Sequence, residues 1–184
     1  MARAEIEQKV IAIPGSHTTA ALLLRLYVGD PPIIEVAFDK IPKAVLEGQA
    51  DLGLLIHEGQ ITHQQMGLVK VLDMGQEWER DSGLPLPLGI NVMRRDLGEA
   101  MHRKISQALR DSIDYAYANV DEALEYAMRY GRGIDKETCR KFVLMYVNDY
   151  TKRLGPDGKA ALERLYAMAH ARQLIPDVPP VDPI

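Results

Sequence analysis

Two short apolar runs in this chain end in residues able to do acid–base or ligand-binding chemistry. The first, Val10–Ile13, stops at Pro14-Gly15 and opens into Ser16, His17, Thr18 and Thr19. The second, Leu52–Ile56, stops at His57 and Glu58. An imidazole titrates near neutral pH, so His57 is a candidate general base. A histidine satisfied by backbone at a sheet edge is the other reading of the same residue. Glu58 either orients His57 or points away, since adjacent strand residues face opposite sides. In the first run Gly15 permits a tight turn, and Ser16, Thr18 and Thr19 supply hydroxyls. A helix starting there turns free N–H groups toward the loop. That set suits a carboxylate, a phosphate or sugar hydroxyls, although a plain helix cap uses the same residues. No Gly-Lys-Ser/Thr follows, which argues against a nucleotide P-loop.

Metal chemistry has weaker support. His57 and His63 are six residues apart with Glu58 between them, and the HExxH spacing fails because residue 61 is Ile61. No metal site is expected. His63 is expected on the surface of the Gly59–Gly67 loop, and His102 and His170 in solvated positions. The lone Cys139 lies in ETCRKFVLMYV, where a buried packing residue is the better reading than a nucleophile. Trp78, Tyr115, Tyr117 and Tyr146 sit at helical spacings that favour core or interface packing over a stacking platform.

The elements that must position these residues follow from periodicity. Val10–Ile13, Ile33–Phe38, Leu52–Ile56 and Leu68–Leu72 read as strands, the runs ending at Pro14 and His57 as buried ones. Thr19–Tyr27 reads as a helix capped by Thr18 or Ser16, Ile41–Leu46 as a short helix ended by Gly48, and Glu77–Trp78 as part of another. Such alternation implies a parallel sheet in which β-strand ends share one ligand-binding edge. Leu84-Pro85-Leu86-Pro87-Leu88 is an extended connector, because proline fixes φ and removes donors. Leu88–Met93 is a further strand candidate. From Asp96 the pattern turns helical. Ile105, Leu109, Ile113 and Ala116 share one face, followed by helices through Leu124, Phe142 and Leu162. Gly131, Gly133 and Gly155-Pro156 punctuate them.

The chain has 184 residues, 47% hydrophobic and 26% charged, with a formal charge of −4. This is the composition of a globular protein with a real core. A slightly acidic chain without a Lys/Arg block is not expected to bind nucleic acid. One cysteine excludes a disulfide framework. No apolar stretch reaches the length of a membrane span or signal peptide, so no membrane partner and a cytoplasmic location are expected.

VIAIPGSHTTAALLLRLY and, further on, EGQADLGLLIHEGQITHQQMGLVKVLDMGQEWERDSGLPLPLGINVMRRDLG carry a specific resemblance. They are similar to the 1,4-dihydroxy-6-naphthoate synthase family of the futalosine route to menaquinone. IPGxHTTA, the LIHE strand end and the GLPLPLG connector occur in the family's order. A looser likeness extends to chorismate dehydratase of the same route and to periplasmic solute-binding proteins.

The resemblance implies an α/β, periplasmic-binding-protein-like (type II) lobe with a parallel or mixed sheet, followed by a C-terminal helical region. It implies a lyase that cleaves a futalosine-derived nucleoside, cyclic dehypoxanthinyl futalosine, with no metal or organic cofactor. His57 maps onto the family's general base. Thr18, Thr19 and Ala20 map onto its substrate contacts, with Ser16 and Glu58 beside them. Residues 1–9 would be a residual interlobe crossover, 10–84 the α/β lobe and 85–95 the return connector. Residues 96–174 would be the helical part of the other lobe, and 175–184 an irregular tail.

Family members carry a further half-lobe before the strand near Val10. The chain is therefore expected to act as a fragment whose helices expose an apolar face, Ile105, Leu109, Ile113 and the Leu162/Leu165 face included. Its partner would be a separate N-terminal half-lobe chain or a homo-oligomer. A solute-binding protein or a chorismate-dehydratase-like member of the same fold, and an inactive fragment needing an N-terminal partner, are the alternatives to the enzyme.

Overall fold

A computed structural model describes residues 1–130 and 135–183. The expected glycine breaks at Gly131 and Gly133, and the terminal Ile184, lie outside the described residues. The chain divides into two compact units, residues 1–89 with 160–180, and residues 90–159 with 181–184.

The first unit is a mixed α/β layer structure. After a short helix α1 (Arg3–Ile6), strand β1 (Ile11–Ile13) leads through α2 (Thr19–Tyr27) to β2 (Ile33–Glu35). A 3₁₀ turn (Phe38–Lys40) and α3 (Ile41–Leu46) return the chain to β3 (Leu52–Gly53). The three strands are all parallel, in the order β2-β1-β3, with Ile11 opposite both Ile33 and Leu52. Central β1 is fully buried. Its alternating side chains divide the core, as a pleated strand requires. Ile11 and Ile13 pack with Ile6, Ala21, Leu24 and Val28, whereas Ala12 packs with Ile41 and Ala50. A third cluster joins Leu23 and Leu26 of α2 to Trp78 of α5 (Met74–Ser82) and to Ala161 and Leu165. The buried carboxylate of Glu77 is compensated by ion pairs with Arg3 and Arg80, as a charge removed from water requires.

Several elements differ from the sequence expectation. Leu68–Leu72 and Leu88–Met93 form no strand, and Val69 and Val92 are 86% and 79% exposed. Both are rich in apolar residues as strands are, but no described strand lies alongside to complete a ladder. The second apolar run is half-buried rather than buried, because β3 lies at an edge of the sheet. Only Leu52 and Gly53 pair; the ladder ends where the Leu54 N–H donates to the Ala12 carbonyl at 2.8 Å. The Gly59–Gly67 loop begins with a helical turn, α4 (Gly59–Thr62). This winds His63 back into a half-buried position with Nδ1 3.0 Å from the Gln60 carbonyl, not onto the open surface.

The second unit contains α6 (Gly98–Ala118), α7 (Val120–Met128), α8 (Lys136–Tyr146) and α9 (Asp149–Lys152), as the helical periodicity predicts apart from the short α9. Asp135 caps α8, accepting from the Glu137 and Thr138 N–H groups at 2.9 Å. Tyr117 donates to the Val147 carbonyl at 2.5 Å, and Lys136 pairs with Asp121 at 2.8 Å. Cys139 is buried as a packing residue. Tyr115 and Tyr117 of α6 are exposed rather than packed, and Tyr115 donates to Glu122 Oε2 of α7 at 3.2 Å. His102 is half-buried, with Nε2 2.8 Å from the Arg94 carbonyl, rather than simply solvated.

The last helix, α10 (Gly155–Ala171), corrects a further expectation. From Ala160 onward it groups with the first unit, and Leu162 and Leu165 are buried there, Leu165 against Trp78 and α2. Ile113 is buried as well. The uncovered stripe is instead Leu97, Met101, Ile105 and Leu109, the last two 38% and 37% exposed. Apolar residues recurring every four positions on a helix mark a face that ordinarily packs against something. The isolated chain should therefore self-associate at micromolar concentration, and Ile105→Glu with Leu109→Glu should suppress this. Light scattering that finds a wild-type monomer independent of concentration would dismiss that expectation.

Candidate functional site

Parallel pairing brings the segments that leave all three strands to one edge of the sheet. Residues 14–18 follow β1, residues 36–38 follow β2, and residues 54–58 follow β3. The β1 exit turns at Gly15, whose φ of 148° is a backbone state that favours glycine. The Ser16 N–H donates to Glu35 Oε1 at 3.1 Å, and its hydroxyl donates to the same oxygen. The Ser16 hydroxyl, then its N–H, and more weakly His17 hold the Glu35 carboxyl below its usual range.

Thr18 is the N-cap of α2. Its hydroxyl donates to the Gly15 carbonyl at 2.9 Å and accepts from the Ala21 N–H at 3.1 Å. Its one proton is thus spent inside the loop. The Thr19 hydroxyl donates to the Leu88 carbonyl at 3.2 Å, tying the helix start to the proline-rich connector. Ala20 is half-buried in the first turn, and His17 is exposed. Beneath the loop lies a hollow of about 10 Å³ lined by Ile13, Ser16, Ala21, Leu24, Arg25 and Asp30. It has room for one water and not for a nucleoside.

At the β3 exit, tight packing sets the path. A Cβ on Gly53 would come within 2.6 Å of Ile41 Cγ2 and 3.0 Å of Val45 Cγ2, so only glycine lets α3 lie this close. The chain then reaches His57, which adopts a left-handed backbone with φ 54°. For a non-glycine residue that conformation costs about 1–2 kcal/mol. The Phe38 ring stands against the His57 imidazole, with centroids 4.5 Å apart and planes inclined at 49°. Such a pair contributes about 0.5–1.5 kcal/mol beyond burial, enough to offset much of the backbone strain. Glu58 is half-buried and precedes α4; its carbonyl accepts from the Ile61 and Thr62 N–H groups at 2.9 and 3.0 Å. Among the described residues no three His, Cys, Asp or Glu side chains group as metal ligands.

Ser16 and His57 are therefore each fastened to the β2 exit, one through Glu35 and the other through Phe38. Neither Glu35 nor Phe38 stands out by residue type. The signal that could have found them is positional: Glu35 is the one charged residue of the apolar run IIEVAF, and Phe38 ends it.

A family model described as menaquinone biosynthesis matches residues 1–171. The chain belongs to this family. It is 43% identical over 164 residues to a Thermus thermophilus protein named 1,4-dihydroxy-6-naphtoate synthase, covering 89% of this chain and 60% of that protein. A Streptomyces coelicolor protein of the same name is 36% identical over 185 residues, covering 97% of this chain and 66% of that one. The crystal structure of an Archaeoglobus fulgidus protein superposes with a TM-score of 0.89 at 50% identity. That match covers 92% of this chain and 64% of the other. The menaquinone family member described here thus spans less than two thirds of the length of each of these relatives.

Proposed function

We propose that this chain carries the catalytic histidine of a carbon–carbon lyase that forms 1,4-dihydroxy-6-naphthoate from cyclic dehypoxanthinyl futalosine. The observation that carries this reading is the strained His57 at the sheet edge it shares with the PGSHTT turn, in a chain whose relatives bear that enzyme's name. Strained backbone persists where surrounding structure over-determines it, and functional sites are where such residues gather. His57 acts as general base. The α2 N-terminus, with Ser16, Thr18, Thr19, Ala20 and Glu58, binds the substrate. Thr18 presents the lone pair its capping role leaves over, and Thr19 its hydroxyl.

The fold in this reading is a periplasmic-binding-protein-like lobe of type II, with residues of the second unit forming the helical part of the other lobe. The part of the family's length that this chain does not span supplies a sheet against the α6 stripe, on the same or a separate polypeptide. The reaction takes place in the cytoplasm, in keeping with a single unpaired cysteine.

Turnover is tested by supplying the chain with a polypeptide corresponding to the unspanned part of the Thermus thermophilus relative. Release of dihydroxynaphthoate is then followed by its absorbance. Product from the mixture, and none from either component, is the expected result. A mixture in which substrate binds without turning over would turn the reading toward a solute-binding protein.

A further inference from the structure

We infer that Phe38 is a positioning residue for His57, acting across the sheet edge from the exit of β2. The inference rests on the reading of His57 as general base and deepens it. The imidazole follows β3, which lies on one side of β1, whereas Phe38 follows β2 on the other side. The ring contact at 4.5 Å therefore spans the end of the central strand and couples two loops that share no ladder.

What makes Phe38 suited to this is the firmness of its own mount. It opens the 3₁₀ turn that runs directly into α3, and Ile41, three residues on, is fully buried against Ala12 and Ala50. Pro42 in the first turn of α3 fixes the backbone further. The His57 segment has a looser mount, since ladder pairing ends at Leu54 and the backbone then enters a left-handed turn. An aromatic face can hold an imidazole in place without adding charge or consuming either ring nitrogen. A base displaced by about 1 Å loses up to about 10²-fold in rate.

The test uses Phe38→Leu and Phe38→Tyr, with folding monitored through the fluorescence of Trp78. In the chain itself the ring-current shift of the His57 Cε1 proton is read by NMR, assigned by its absence in His57→Ala. Phe38→Leu should move that resonance toward its random-coil position, and Phe38→Tyr should leave it near the wild-type value. In the complemented enzyme Phe38→Leu should lower kcat about ten- to a hundredfold with KM little changed, and Phe38→Tyr should restore it. An unmoved His57 resonance, or an unchanged kcat in Phe38→Leu while His57→Ala is inactive, would overturn the positioning role alone. Full activity in His57→Ala would remove the base reading and this inference with it.

Discussion

Trp78→Ala should destabilise the first unit by about 3–5 kcal/mol, the cost typical of truncating a buried tryptophan. Trp78 has 0% exposure and is the largest fully buried side chain of the described residues. It joins α2 to the buried face of α10 through Leu23, Leu26, Ala161 and Leu165, so its loss opens a cavity that three helices share. Its indole N–H also lies 2.9 Å from the Leu84 carbonyl and 3.1 Å from the Pro85 carbonyl. Those bonds anchor the connector whose Leu88 carbonyl receives the Thr19 hydroxyl. At two to four degrees per kcal/mol, the melting temperature should fall by roughly 6–20 °C. Trp78→Phe separates the two contributions. It keeps most of the packing and leaves two carbonyls without their donor, a penalty of about 1–3 kcal/mol. Circular dichroism melts of the three proteins decide the matter. An alanine variant melting within two or three degrees of wild type, on the same scale, would show that α10 does not depend on this residue.

Elements set by a local pattern are legible in the residues, and elements decided by a partner are not. β1 and α2 are legible because VIAI is continuously apolar and Thr18 is followed by a helical stripe that ends before Asp30-Pro31-Pro32. The shared edge of β1 and β3 was legible from alternation of strands and helices alone. Leu68–Leu72 is a similar short apolar run, but a strand exists only with a neighbour, and the sequence does not say which segments are neighbours. The α10 face failed for the related reason that amphipathicity shows which side of a helix is apolar and not what covers it. Leu165 found Trp78, whereas Ile105 and Leu109 found nothing comparable among the described residues.

At the site, the types His, Ser and Thr announced themselves. What fastens them did not, because Glu35 and Phe38 have ordinary side chains whose role arises from strand order. With β2 next to β1, one exit segment can hold Ser16 on its carboxylate and His57 on its aromatic ring. The left-handed backbone of His57 was likewise hidden, since histidine, although enriched at positive φ among non-glycine residues, adopts it far less readily than glycine.

His57→Ala in the complemented enzyme should lower kcat about 10²–10⁴-fold, the range by which a positioned general base accelerates proton transfer. Substrate affinity should change little, because a base acts on the proton being moved in the transition state more than on the bound ground state. Thr19→Val should show the opposite division. It removes the tie to the Leu88 carbonyl and, on the proposed reading, a hydroxyl that the substrate uses, so KM should rise while kcat is largely kept. The contrast carries the argument, since a variant that merely disturbed the sheet edge would alter both constants in both proteins. His57→Gly makes the comparison sharper. Glycine occupies a φ of 54° at no steric cost, so this variant relieves the backbone strain while deleting the imidazole. It should be at least as stable as His57→Ala and equally inactive, the mark of a residue kept for its chemistry. Rate constants from single-turnover absorbance traces, set beside melting temperatures of the same three proteins, measure every term. Should His57→Gly turn over at the wild-type rate, the imidazole serves binding or structure, and the base must be sought elsewhere on the edge.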